Sequence, residues 1–214
     1  MMGVITALKT NPRRPSTVDV YIDGRRKATL PTAVAVDLAV GMSLDAAELD
    51  SLHVQASEAE AMNKAGRMLA RRPHSEREVR VRLGRSGFEP AVIDRTVVRL
   101  VESEALDDRA FAHAWVENRM TFRPRSAAMI RSELRGKGVA AEAIEEALAT
   151  MDERQAAQAA ADRALRKLSG LEPPERQRRL YEYLVRRGFA HETIRAVVRS
   201  IESSTAESES EGTE

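Results

Sequence analysis

Three times along the chain a proline is followed fourteen residues later by a glycine: Pro73 and Gly87, Pro124 and Gly138, Pro174 and Gly188. The glycines lie 51 and 50 residues apart. Aligned on them, apolar residues stand eight positions before (Val79, Ile130, Leu180) and four before (Leu83, Leu134, Leu184). Others follow directly after (Phe88, Val139, Phe189) and then as Ile93, Ile144 and Ile194, as Val97, Leu148 and Val198, and as Leu100, Met151 and Ile201. The series after each glycine runs i, i+4, i+7, one face of a helix. A glycine just past a helix end takes the left-handed conformation and brings the residue four before it against the residue after it. Repeats of this kind fall in the class where neighbours stack and bury shared faces.

Each copy also has a helical stretch ahead of its proline: Glu58 to Arg72, Asp107 to Arg119 and Arg154 to Leu168. The module is therefore three helices. The proline is read as opening the middle helix, with Ser75 or Ser126 as its cap and Ser75 with Glu78 as a capping box. The third copy has no such serine, and Ala127 to Met129 breaks the box in the second. Residues 4–30 read differently, as short apolar or alternating runs around Asp23-Gly24, a hairpin signal because both turn residues need positive φ. Helices are expected from Thr32 to Val40 and from Asp45 to about Glu60, the second running on toward Arg72. The expected fold is mainly α: tandem three-helix repeats in an elongated, curved array behind a small N-terminal β-hairpin-containing unit. The boundaries are 1–57 for that unit, 58–102, 103–151 and 152–202 for the repeats, and 203–214 for a disordered acidic tail.

Little chemistry is available to this chain. It has no Cys, hence no disulfide or thiolate site, and none of its four His is spaced with another as a metal pair. His191-Glu192 begins like a zinc-protease helix, but Arg195 stands where the second His is needed. Leu83 to Gly87 lacks the length and the Lys-Ser/Thr ending of a phosphate loop. Asp107-Asp108 opens a helix, where a capping carboxylate and the dipole account for it. Phe111, Trp115 and Val116 read as core. No catalytic residue, metal or cofactor is expected. No segment approaches a membrane span, the N-terminus lacks a secretory signal, and a cytoplasmic monomer is expected.

Charge is what remains. Residues 1–60 carry 6 Lys+Arg against 8 Asp+Glu, 61–203 carry 28 against 21, and 204–214 carry 0 against 4, so the cations concentrate where the chain repeats. With Val79 and Leu83 inward, Arg77, Arg82 and Arg85 fall on the opposite side and Arg80 at the flank. A cation recurs in two copies at Arg77 and Arg178, Arg80 and Arg131, Arg85 and Arg186, and Lys137 and Arg187. The candidate contacts to an anionic partner are these with Arg71, Arg72, Arg123, Arg125, Arg135, Arg176 and Arg179. Phe88, Phe111, Trp115 and Phe189 belong to packing, which leaves few aromatics for a dedicated single-strand platform. Backbone contact or a protein surface fits better.

The segments SEREV…L…GF…I (Ser75 to Ile93) and EALDDRAFAHAWV (Glu104 to Val116) resemble the RecX family, regulatory proteins of the RecA recombinase, over roughly residues 60–202. The resemblance implies a non-enzymatic modulator of recombination, DNA repair and the SOS response. It would lie in the groove of the RecA filament on single-stranded DNA and limit filament growth or strand exchange, with affinity of its own for single-stranded and double-stranded DNA. The competing readings are a general nucleic-acid-binding helical-repeat protein and a protein-interaction scaffold without DNA binding.

Overall fold

The structure, a computed structural model, describes residues 2–12 and 14–211, with side chains as far as 203. It divides into two units, Met1–Leu106 and Asp107–Glu214.

In the first unit, β1 (Gly3–Asn11), β2 (Arg14–Ile22), β3 (Arg25–Pro31) and β4 (Ser43–Leu44) form an antiparallel sheet in the order β3-β2-β1-β4. Asp23 and Gly24 have φ of 50° and 76°, the paired positive values of the expected hairpin turn. Strand alternation sends Val20, Ile22, Ala28 and Leu30 into a small core with Ile5, and Lys9, Asp19 and Tyr21 to the other face. There the Lys9 ammonium lies 5.0 Å from the Tyr21 ring centre. A hydrogen bond from Thr29 holds the Asp19 carboxyl below its usual range against the opposing effect of burial, helped by Asn11 and Arg26.

The helix expected from Thr32 to Val40 is shorter, α1 (Thr32–Ala35). Val34, Val36 and Val40 are stiff at χ1 and favour helix weakly, and Gly41 turns the chain at φ 95°. The next helix, α2 (Ala46–Leu69), is capped by Asp45 and Glu48 in a reciprocal capping box. One helix serves two cores: Leu49, Leu52 and Ala56 pack on the sheet, while Ala61 and Ala65 join α3 (Glu76–Gly84) and α4 (Pro90–Glu102). Residues 57 and 58 thus lie within continuous helix.

The second unit holds two more modules: α5 (Asp108–Phe122), α6 (Ala127–Gly136) and α7 (Ala141–Ala149), then α8 (Glu153–Leu168), α9 (Pro173–Arg186) and α10 (His191–Glu211). Asp107 caps α5, accepting from the N–H groups of Arg109 and Ala110. Each module closes on its own core, and the columns of the sequence repeat are those cores: Val79 and Leu83, Ile130 and Leu134, Leu180 and Leu184 are all buried. Gly87, Gly138 and Gly188 have φ of 86°, 83° and 82°. Behind each, the next residue's N–H donates to the carbonyl five residues earlier: Phe88 to Leu83 (3.4 Å), Val139 to Leu134 (3.2 Å) and Phe189 to Leu184 (3.3 Å). This is the Schellman closure, with its apolar contact.

Two local expectations change. Pro73 and Pro124 do not open their helices; Ser75 and Ser126 do, each fully buried and accepting from the N–H three residues on. The third middle helix starts earlier, with Pro173 at its first turn and no side-chain cap, since a proline there has no N–H to leave unpaired. In the stretch read as a disordered tail, 203–214, α10 continues to Glu211 with no Gly or Pro to interrupt it before Gly212; residues 212–214 lie outside the described residues.

Candidate functional site

The middle helices carry the candidate cations, and neighbouring acids decide which of them keep an uncompensated charge. Arg80 and Arg131 occupy one column, seven residues before the glycine, and each pairs with an acid seven residues after it: Asp94 in repeat 1 and Glu145 in repeat 2. Arg131 donates through Nε and Nη2 to both Glu145 oxygens at 2.6 and 2.7 Å. That bond holds the Glu145 carboxyl below its usual range, burial opposing. A second pair joins first and third helices in the same two repeats with its sign reversed: Glu58 with Arg95, and Arg109 with Glu146. Repeat 3 has neither. Tyr181 and Arg195 stand where the first pair would be, and Tyr181 stacks on His191 with ring centres 5.8 Å apart.

Repeat 2 also builds a network around Glu133. Its carboxylate accepts from Trp115 Nε1 (2.7 Å), from Arg119 Nε (2.7 Å) and from Arg125. Burial alone would raise this carboxyl; the hydrogen bonds from Arg119 and Trp115 and the charges of Arg119 and Arg125 outweigh burial and hold it below its usual range. Trp115 is therefore not plain core: its indole N–H is anchored, and Arg119 and Lys137 each lie 4.1 Å from its ring centre. Phe111 and Val116 are buried as expected.

Of the sixteen candidates, Arg72 pairs with Glu78, Arg179 with Glu175, and Arg80, Arg125 and Arg131 with the acids just named. Lys137 lies on Trp115. Arg71, Arg77, Arg82 and Arg85 are exposed in the first unit, and Arg123, Arg135, Arg178 and Arg186 in the second, while Arg176 is half-buried.

Arg187 belongs to a different arrangement. Its guanidinium donates to the Pro124 carbonyl (3.1 Å) and lies 4.7 Å from the Tyr183 ring centre, while its own carbonyl accepts from Ser126 N–H (3.1 Å). On the same seam Arg163 of α8 donates to the carbonyls of Thr121 and Phe122, the unpaired acceptors at the end of α5. Gly188 is pressed against the start of α6: a Cβ there would stand 2.5 Å from Met129 Cγ and 2.6 Å from Ser126 Oγ.

Beside this seam lies a cleft of 280 Å³ lined by Phe122, Arg163, Arg166, Lys167, Tyr183 and Arg187, with Pro124 and Ala164. Among the described residues that line it, four are cations and none is a carboxylate. Phe122 is 66% exposed. A larger groove of 950 Å³ between α9 and α10 has Arg178, Arg195 and Arg199 facing Glu182, Glu192 and Glu202, and so little net charge. Of the residues lining the cleft, the sequence reading nominated Arg187 and missed Phe122, Arg163, Arg166 and Lys167. Among the described residues no three His, Asp or Glu gather as a metal site, and no helix is long and apolar enough to cross a membrane.

Models of the first, second and third three-helix domains of RecX match residues 61–100, 107–148 and 152–198. The chain is 33% identical over 141 residues to the regulatory protein RecX of Chlorobaculum tepidum, 66% of this chain and 88% of that protein. With that of Bacillus licheniformis it shares 29% over 205 residues, 92% of this chain and 77% of the relative. A crystal structure of regulatory protein RecX superposes with a TM-score of 0.70 at 18% identity, covering 91% of this chain and 98% of the other. A second, of RecX from Lactobacillus salivarius, gives 0.58 at 17%, covering 68% and 97%.

Proposed function

The chain belongs to the RecX family of regulatory proteins, and from that premise we propose that it regulates RecA, binding the RecA filament on single-stranded DNA and limiting recombination without chemistry of its own. The observation that supports this reading most is the division among the cations. Arginines paired to acids hold modules together, while Arg82 and Arg85 in one unit and Arg178 and Arg186 in the other stand exposed on the same middle helices. Such charges favour a polyanionic or acidic partner. The filament groove is the family's expected place for it, and the cleft at the end of α5 favours contact with the DNA as well as with RecA.

RecA-catalysed strand exchange and DNA-dependent ATP hydrolysis, titrated with this protein, test the reading. Inhibition is expected below one molecule per RecA protomer, and no effect up to that ratio refutes it. Reversing Arg85, Arg178 and Arg186 to Glu removes the effect while helicity and melting stay as they were; retained inhibition places the contact elsewhere.

A further inference from the structure

We propose that the cleft at the seam of repeats 2 and 3 is a binding site for single-stranded nucleic acid, taking one nucleotide with its base on Phe122 and its phosphates among Arg163, Arg166, Lys167 and Arg187. The proposal deepens the regulator reading and rests on it only in taking a nucleoprotein as the target; the site itself needs no recombinase.

The cations come first. Two of the four already make hydrogen bonds, Arg163 to the carbonyls of Thr121 and Phe122 and Arg187 to that of Pro124. A carbonyl fixes a guanidinium without cancelling its charge, unlike the carboxylates on Arg80, Arg109 and Arg131. Arg163 and Arg187 are thus held rigid and still positive, and each keeps further N–H donors for a phosphate. Arg166 and Lys167, both exposed in the last turn of α8, add two more charges.

Phe122 supplies what a purely anionic ligand does not need. At 66% exposure it adds little to either neighbouring core. A ring beside a cluster of uncompensated cations offers a base the π-face it stacks on and the backbone the charge it follows. Duplex bases have both faces covered by their neighbours, which selects the single strand. An acidic peptide would satisfy the cations and leave Phe122 idle. The volume sets the extent: 280 Å³ lies at the small end of ligand sites, which run from about 300 Å³, and holds one nucleotide, not a run. Tyr183 also lines the cleft but lies under Arg187, so one ring is left for a base, in keeping with the scarcity of aromatics that argued against a platform.

The test is fluorescence anisotropy of the full chain with labelled oligothymidylate, RecA absent, beside an abasic oligomer of equal length. Phe122→Ala is expected to weaken oligothymidylate binding on the order of tenfold while leaving the abasic oligomer and the melting temperature unchanged, and Phe122→Trp to retain binding. Arg166→Glu with Lys167→Glu weakens both ligands and flattens the salt dependence, its log–log slope falling by about 1.4 for two lost phosphate contacts on a single strand. Failure of the wild-type protein to bind oligothymidylate, or equal binding by Phe122→Ala, overturns the proposal. If Phe122→Ala instead loses RecA inhibition with oligothymidylate binding intact, the cleft is a protein contact: the nucleic-acid assignment fails and the regulator reading stands. If the stacking signature is found and the wild type leaves RecA untouched, the regulator reading fails and this site stands.

Discussion

Repeats 2 and 3 share one three-helix plan, one left-handed glycine and one Schellman closure, yet their charges have different fates. Residues 103–151 carry 7 Lys+Arg against 8 Asp+Glu, and residues 152–202 carry 11 against 8. In repeat 2, Arg109, Arg119, Arg125 and Arg131 all end on carboxylates of their own module. In repeat 3, Arg179 is paired to an acid, Arg163 and Arg187 rest on carbonyls, and Arg178 and Arg186 are exposed. The stacks at the residue before the glycine make the contrast local. Lys137 lies over Trp115 and Arg187 over Tyr183, but the residue five before the glycine is Glu133 in one repeat and Tyr183 itself in the other. Among the ion pairs of the described residues, four cations of repeat 2 end on its own carboxylates, with Arg123 and Arg135 exposed, against one cation of repeat 3.

The largest effect expected from disturbing this plan is at the glycines. Gly188→Ala meets both a positive φ and the side chains of Met129 and Ser126, and should destabilise the second unit by about 2–4 kcal/mol. Gly87→Ala meets the positive φ with nothing within 4 Å and should cost about 1 kcal/mol. Urea denaturation of both variants checks the ordering; equal losses would mean that the approach of repeat 3 to α6 is not tight.

Glu133→Gln comes next, at about 2 kcal/mol, because Arg119 and Arg125 lose the anion that compensates them in a half-buried site. The carboxyl is held below its usual range when folded. Its stabilisation is therefore fully present above the unfolded value of roughly 4.3 and disappears as pH falls through the lowered folded value. Wild type and Glu133→Gln should differ at pH 7 and converge once the pH has fallen through that lowered folded value. A gap that persists in acid would place the effect in packing, not charge.

The parts of this molecule legible in the sequence are those where neighbours along the chain do the work. Leu83, Gly87 and Phe88 meet within one helix end, so their spacing reports their contact, and Asp23-Gly24 reports its turn for the same reason. Whether an arginine is neutralised depends on an acid fourteen residues away across a turn, as for Arg80 with Asp94, or thirty-seven away, as for Arg109 with Glu146. A cation column shared by two copies looks like a conserved face, yet for Arg80 and Arg131 it is a shared ion pair. The acid seven residues after the glycine in both copies was the signal that could have shown it. Trp115 fitted an apolar period that cannot display where an indole N–H points. Phe122 and Arg163 escaped because both lie outside the aligned columns, Phe122 at the end of α5 and Arg163 within α8, and only folding brings the two together.

The smallest expected effect is also the most direct probe of the plan that the repeats share. Glu58 with Arg95 and Arg109 with Glu146 occupy equivalent positions with opposite sign. If the module fixes the geometry and leaves the order of charges free, repeat 2 accepts the order of repeat 1. Arg109→Glu and Glu146→Arg singly should each lose about 0.5 kcal/mol through like-charge contact at an exposed site, and the double variant should recover most of it. A double-mutant cycle at low salt measures the coupling, which should shrink at 1 M salt, where the screening length is about 3 Å. Additive losses would show that the two pairs are independent local accidents. A recovered double variant would show that the ion pair is a property of the repeat, with its sign free to vary from copy to copy.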